Sequence, residues 1–273
     1  MISVVILTLN EATSLQRSLD SVAWSDDILV VDSGSTDGTV DIARAAGARV
    51  VSRPFDSFAG QRNFAMDTGE FRNPWVLHLD ADEVVTRALH DELQALAGTG
   101  GKPAFPVYRI PSRLIFMGRW LRHAGMFPAY QVRFGRAGAL RFVDHGHGQR
   151  EVQPPGQVGT CTAPLDHYNF SKGINDWFAR HLRYARREAA QATADAGDAL
   201  PLAALLGADA TQRRRALKQI AYRLPLRPLL RFLYVYVAKA GFLDGRAGFH
   251  YAAMIGVYQY IIDLNELEAR GRI

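Results

Sequence analysis

One cysteine, Cys161, in 273 residues leaves no internal disulfide, which fits a reducing compartment. The first apolar run, Ser3 to Leu9, is not followed by Gly-x-Gly-x-x-Gly, and no Gly-Lys-Ser/Thr loop occurs. A dinucleotide oxidoreductase and a P-loop enzyme are both disfavoured. No segment reaches the ~20 uninterrupted apolar residues of a membrane-spanning helix. The N-terminus has no basic stretch, and Asn10-Glu11 ends its apolar run, so it does not read as a secretory signal. Internal repeats, low-complexity tracts and a stacking motif for single-stranded bases are missing as well.

What is present is a folding composition, 48% hydrophobic with 22% charged residues. The net charge of +5 is unevenly placed. From residue 209 onward there are 11 Lys and Arg against 5 Asp and Glu, so the first 208 residues hold 21 against 22. The basic excess lies in the last quarter and argues for an acidic partner of that segment, a membrane surface or a nucleic acid.

The N-terminal half alternates strand and helix. Ser3 to Leu9, Ile28 to Val31, Ala48 to Ser52 and Trp75 to Leu79 are β-rich apolar runs. Between them come helices near Leu15 to Val22, opened by a Thr13-x-x-Gln16 capping-box spacing, Gly38 to Ala46 and Phe58 to Thr68. That order predicts an α/β fold, a parallel sheet wrapped by helices. Ligands of such sheets bind at the carboxyl ends of the strands. Those ends read Thr8-Leu9-Asn10-Glu11, Asp32-Ser33-Gly34-Ser35 and Asp80-Ala81-Asp82-Glu83. Three carboxylates closing a buried strand repel one another and resist desolvation. A divalent cation with a phosphate would neutralise them, and oxygen ligands suit Mg2+ or Mn2+. The plain alternative is an acidic strand-to-helix loop with Asp82 or Glu83 capping the next helix.

Together with Gln61-Arg62-Asn63, these three strand-end motifs resemble the family-two inverting glycosyltransferases of GT-A fold. The likeness is to the branch similar to bacterial lipopolysaccharide-core glucosyltransferases. The specific motifs cover about residues 3 to 100, with a weaker likeness to about 190. The resemblance implies an α/β, Rossmann-like catalytic domain over 1–195, with a nucleotide-sugar half (1–100) and an acceptor half (101–195). It implies a donor pocket of Thr8, Asn10, Glu11, Asp32, Ser35, Arg62 and Asp80. There Asp32 would meet a base, uracil by preference, Arg62 the nucleotide or its phosphate, and Asp80 the ribose. Asp82, in the Asp-x-Asp pattern, would hold Mg2+ or Mn2+ bridging the diphosphate.

The acceptor side is expected beyond residue 100. A strand is predicted over Ala104 to Ile110, then an irregular Pro111 to Phe127 carrying Arg113, Arg119, Trp120, Arg122 and His123. Aromatic faces suit sugars, and arginines suit phosphate or carboxylate groups. Transfer needs a base facing the anomeric carbon, away from the diphosphate. The segment Asp144-His145-Gly146-His147-Gly148-Gln149-Arg150-Glu151 falls where related enzymes tend to carry a His-Glu pair. Here the pattern is stretched, so Glu151, Asp144 and His147, in that order, are the candidates. Zinc is disfavoured there, because no third ligand follows at helix spacing. One strand is predicted over Val158 to Phe170. A helix follows with Ile174, Trp177, Phe178, His181, Leu182, Ala185 and Ala189 on its packed face.

Residues 195–209 read as a boundary, and 209–273 as a basic, amphipathic helical segment. Short aromatic-rich helices beside arginines describe an anchor on an anionic membrane surface. The alternative is a helical hairpin packed on the catalytic domain, or a dimer contact. The expected protein is cytoplasmic and peripheral on the inner face of the membrane, with a nucleotide-sugar donor, a glycan or lipid-linked acceptor and no nucleic acid. Rival readings are a nucleotidyltransferase, which normally wants a Gly- and Lys-rich first loop, and a non-catalytic RNA- or membrane-binding module.

Overall fold

The computed structural model describes residues 1–98, 104–145, 148–153, 156–194 and 226–273. Its contacts form two compact units. One comprises Met1–Trp120 with Met126–Lys172, the other Leu121–Gly125 with Gly173–Ile273. The sequence boundary at 195–209 lies among residues outside the described set, as do Gln212 to Lys218, Arg223 and Pro225. The contacts group the helix Gly173–Ala194 with the C-terminal helices.

The first unit is built on one mixed sheet. β1 (Ile2–Thr8), β2 (Ile28–Asp32), β3 (Arg49–Ser52) and β4 (Trp75–Asp80) are parallel, in the order β3-β2-β1-β4. α1 (Leu15–Ser21), α2 (Thr39–Ala45) and α3 (Phe58–Thr68) connect them. Beyond β4 the direction reverses. β5 (Glu83–Val85) and α4 (Arg87–Gly98) lead to β6 (Val107–Phe116) and β7 (Arg119–Trp120). β8 (Ala129–Arg136) then inserts antiparallel between β4 and β6. A two-stranded ribbon follows, β9 (Phe142–His145) and β10 (Gly148–Glu151). β11 (Val158–Thr160) and β12 (Leu165–His167) both run parallel to β6, and β12 also pairs antiparallel with β5. This is the α/β, GT-A-type arrangement that the motifs led us to expect.

Strand periodicity sorts the core. Ile2, Val4 and Ile6 enter one cluster with Leu15, Leu19, Leu89 and Leu93. Val5 faces the other way, into a cluster with Leu29, Val31, Ala59, Ala65 and Phe142. Trp75 stacks on Phe134 across the parallel–antiparallel seam, with ring centroids 4.8 Å apart.

Four local expectations are corrected. α1 starts at Leu15 with no side-chain cap, and Gln16 bonds Asp20 instead of closing a Thr13 box. The irregular loop expected from Pro111 is β6 continuing to Phe116, with Pro111 opposite Tyr130. A proline fits there because it asks only that its own amide not be needed by a neighbouring strand. The single strand over Val158 to Phe170 is two, divided by the Cys161–Pro164 stretch. On the long helix, Trp177, Ala185 and Ala189 are buried, but Ile174 and Leu182 are exposed.

The second unit contains α5 (Gly173–Ala194), α6 (Arg227–Leu233), a π-helical turn (Tyr234–Ala238), a short 3-10 turn (Gly241–Asp244) and α7 (Gly245–Ala269). Arg227 is tied to Asp263 and to Glu266 (2.9 Å), joining α6 to α7. At Gly248 a Cβ would lie 2.0 Å from the Gly241 carbonyl oxygen, so no larger residue fits that close approach. Asp244 accepts the backbone N–H groups of Arg122 (3.1 Å), His123 (3.0 Å) and Ala124 (2.8 Å). Ala124 is buried with Val235 and Ala252.

The amino ends of the sheet are pinned by one aspartate. Asp27 accepts from the Ser3 hydroxyl (2.6 Å), the Arg72 amide (2.9 Å) and the Arg49 guanidinium (2.8 Å). Burial pushes its carboxyl up, but the Ser3 hydroxyl, the Arg72 amide and Arg49 together hold it below the ordinary value of 3.8. Asp27→Ala leaves the Ser3 hydroxyl and the Arg72 amide without their acceptor, and should cost about 2–4 kcal/mol in chemical denaturation. Because the folded-state pKa is depressed, Asp27's contribution is present above pH 3.8 and is lost as the pH falls below it. The gap between wild type and variant should therefore close in acid.

Candidate functional site

The carboxyl ends of β1 and β2 are laced into one polar frame. Both oxygens of Asp32 are engaged: Oδ1 by the Thr8 (2.9 Å) and Ser35 (2.5 Å) hydroxyls, Oδ2 by the Gly34 (3.0 Å) and Ser35 (2.8 Å) amides. Burial raises this carboxyl's pKa, but those four donors, Ser35 foremost, pull it below the usual carboxylate value. Asn10 sits at φ 54°, a left-handed conformation that Asn tolerates. From there its side-chain oxygen accepts the Thr36 amide (2.8 Å), and its own amide donates to the Ser35 hydroxyl (2.8 Å). The Glu11 amide donates to Thr39 (2.8 Å). Its carboxylate meets Lys172 (2.5 Å), which also donates to the Leu9 carbonyl (3.2 Å).

Next to this frame, at the end of β4, lies a charge ring of half-buried Asp80 and buried Arg62, Arg133 and Glu83. Asp80 is held from both sides, Oδ1 by Arg62 (2.6 Å) and Oδ2 by Arg133 (2.5 Å). Arg133 also donates to Glu83 (2.7 Å), whose other oxygen accepts the Asp80 amide (2.8 Å). Arg62 and Arg133 are 1% and 2% exposed, so each is a desolvated cation that needs these carboxylates. Burial and the charge of Asp80 push Glu83 well above the ordinary carboxyl range.

Asp82 points to a different partner. Its Oδ2 lies 3.3 Å from Nε2 of His167, which β12 sets directly opposite Glu83. Burial alone would lower the imidazole's pKa, but Asp82, then Glu83 and Asp80, raise it to about 9. The Asp82 carbonyl accepts the Tyr168 amide (2.8 Å), which fixes the loop. An oxygen and an imidazole nitrogen 3.3 Å apart suit two adjacent ligands of an octahedral cation at about 2.0–2.2 Å from each. No group of three His, Cys, Asp or Glu suited to a metal occurs among the described residues.

The expected donor residues therefore fall in two adjoining groups: Thr8, Asn10, Glu11, Asp32 and Ser35 in the frame, and Arg62, Asp80 and Asp82 at the ring. Arg62, expected to meet the nucleotide or its phosphate, is buried and bonded to Asp80. The candidate bases lie on the β9–β10 ribbon, apart from His147, which is outside the described residues. Asn63 bonds both backbone groups of Phe142 (2.8 and 3.0 Å), securing the ribbon's root to α3. Arg62 lies 5.8 Å from the Phe142 ring centroid. Glu151 pairs directly opposite Phe142 and Asp144 follows it by two, so both candidates share Phe142's face of the ribbon. Asp144 is exposed and Glu151 half-buried.

Three residues of this site escaped the sequence reading. His167 and Lys172 carry no local pattern that marks them as site residues. Arg133 lay inside a short apolar strand between Val132 and Phe134, and that inward charge was the available signal.

A family model described as Glycosyl transferase family 2 matches residues 3–141. An uncharacterized glycosyltransferase of Rickettsia bellii is 39% identical over 119 residues, 43% of this chain and 39% of that protein. The lipopolysaccharide core biosynthesis glycosyltransferase LpsC of Rhizobium meliloti is 29% identical over 173 residues, 61% and 63% of the two chains. The matches to the Rickettsia proteins span under half of those proteins' length. Among solved structures, the mannosyltransferase PcManGT from Pyrobaculum calidifontis aligns with a TM-score of 0.48 at 17% identity, over 97% of this chain and 86% of that one. Glucosyl-3-phosphoglycerate synthase from Mycobacterium tuberculosis aligns with a TM-score of 0.45 at 19% identity, over 69% and 77%.

With four donors already on Asp32, its substitution tests whether the frame is structural before any ligand arrives. Asp32→Asn sets an amide against donors and should cost about 2–4 kcal/mol. A variant of unchanged stability would show that the loops hold their shape without that carboxylate.

Proposed function

The chain belongs to glycosyl transferase family 2, and from that premise we propose that it moves a sugar from a uridine diphosphate donor to a cell-envelope glycan or lipid-linked acceptor by a metal-assisted inverting displacement. The observation that carries this reading is the placement of Asp82 and His167 beside the Arg62–Asp80–Arg133 ring, at the carboxyl strand ends where ligands of such sheets bind. The Thr8 to Glu11 and Asp32 to Ser35 frame holds the nucleoside. Asp80, aimed by its two arginines, takes the ribose. Asp82 and His167 hold Mg2+ or Mn2+, which supplies Lewis-acid stabilisation of the departing diphosphate. Asp32 has every acceptor position engaged, so it serves the base pocket by shaping the loop.

On the acceptor side, the ribbon supplies the base. Glu151, next to the anchored root, is better fixed than Asp144 nearer the tip. Either would take the acceptor's hydroxyl proton as the new bond forms.

The second unit supports attachment to an anionic phospholipid surface. Leu226, Leu229, Leu230, Leu233, Tyr234 and Val237 are all exposed and share one stripe of α6 and the turn after it. On the opposite side, Val235 is buried with Phe232 and Tyr236 packed beside it. Arg231 and Lys239 lie over the Tyr234 ring, 5.5 and 5.6 Å from its centroid. An apolar stripe edged by cations is the pattern of a helix lying in a bilayer interface. No helix among the described residues is long and apolar enough to cross a membrane.

Three measurements test these points. UDP-sugars with Mn2+ should raise thermal stability, by about 2.7 kcal/mol at a hundredfold excess over Kd. Asp82→Asn and His167→Ala should abolish the Mn2+-dependent part, and no shift with any nucleotide-sugar would reject the donor reading. Glu151→Gln should slow transfer about 10²–10⁴-fold with donor affinity kept. If Glu151→Gln, Asp144→Asn and His147→Ala all turned over at wild-type rate, the ribbon would not carry the base. Finally, Leu233→Asp/Val237→Asp should lose sedimentation with phosphatidylglycerol vesicles while keeping the fold. Wild-type binding that ignored salt and lipid charge would exclude the electrostatic part of the attachment.

A further inference from the structure

Arg133 has no place in the donor pocket that the motifs outline, yet it bonds both Asp80 and Glu83, alone in doing so among the described residues. It comes from β8, the antiparallel strand inserted beside β4. One nitrogen, Nη2, serves both carboxylates, at 2.5 and 2.7 Å. The circuit closes because Glu83 also accepts the Asp80 amide at 2.8 Å. The four-residue turn from Asp80 to Glu83 is thereby fixed at its backbone start, at its first side chain and at its last. Asp82 lies inside that turn. Arg62 reaches Asp80 from the other side.

We propose that Arg133 is a positioning residue for donor binding. By bridging Asp80 and Glu83 it sets the direction of the Asp80 carboxylate and the shape of the turn that presents Asp82. This rests on the donor reading given above. Two physical roles must be separated. A buried arginine whose loss strands Glu83 without its cation would be needed for stability alone. A positioning arginine is needed for geometry even when the charge balance is restored.

The experiment uses the full chain and UDP with Mn2+ as the probe. Arg133→Met leaves Glu83 uncompensated, so it should lower Tm and weaken UDP binding in calorimetry at least ~10-fold. Arg133→Met/Glu83→Gln removes both charges and keeps an acceptor for the Asp80 amide. It should regain most of the lost Tm, with UDP affinity still at least ~10-fold weaker than wild type. Arg133→Lys keeps the charge on a single, narrower donor head, and should fold near the wild-type Tm with weakened UDP binding. Affinity that returns with Tm in the double variant overturns the proposal in favour of a structural role. Should the double variant fail to fold, wild-type affinity in Arg133→Lys overturns it and weakened affinity supports it. A wild-type chain that binds UDP no better with Mn2+ than without, and binds no other nucleoside diphosphate, overturns the donor reading and this inference with it. The two failures are thus told apart by the wild-type titration.

Discussion

The structure depends on how three carboxylates are neutralised at the end of a buried strand. Asp80, Asp82 and Glu83 follow directly on apolar β4, and Glu83 is only 2% exposed. A polypeptide cannot leave such charges unpaired in a dry interior. Arg62 from α3 and Arg133 from β8 hold Asp80, Arg133 also holds Glu83, and His167 from β12 meets Asp82. The antiparallel β8 lies against β4 and brings Arg133 to the carboxylates, while β12, paired with β5, sets His167 opposite Glu83. The seam between the parallel and antiparallel halves is where both sets of groups meet.

The two ends of the first strands are treated alike by different means. Asp27 gathers donors from Ser3, Arg72 and Arg49 at the amino end. Asp32, five residues on, gathers Thr8, Gly34 and Ser35 at the carboxyl end. Between them β2 is buried almost throughout. A net charge is tolerated at each end because hydrogen bonds, rather than water, solvate it. One end is closed by cross-links between loops. The other is shaped by hydrogen bonds within and between its loops.

Much of this was legible in the sequence. The four parallel strands, their three helices and the polar loops at the strand ends follow from apolar runs and turn residues, which are local signals. What was not legible depends on long-range pairing. Pro111 reads as a breaker, yet it continues β6 opposite Tyr130. Thr13 and Gln16 have capping-box spacing, but Ser14 takes the cap position and Gln16 turns to Asp20. His167 and Arg133 are 85 and 53 residues from the carboxylates they pair with. No periodicity announces such a contact. Ile174 and Leu182 fit a helical stripe by spacing, but the packed face is narrower and is lined by Trp177, Ala185 and Ala189.

The C-terminal quarter looks in sequence like a detachable tail, basic and set off by a weakly patterned stretch. The contacts argue otherwise. The helical unit includes five residues, Leu121–Gly125, from the connection between β7 and β8. Leu121 and Ala124 are fully buried, and three consecutive amides of this segment end on one carboxylate, Asp244. Removing the C-terminal helices would uncover Ala124, which is buried with Val235 and Ala252, and take away that acceptor. Each loss is destabilising for that segment. Truncation therefore cannot separate surface attachment from folding. Substitutions on the exposed stripe can, because Leu233 and Val237 lie on the solvent side of a turn whose other side, at Val235, is already packed.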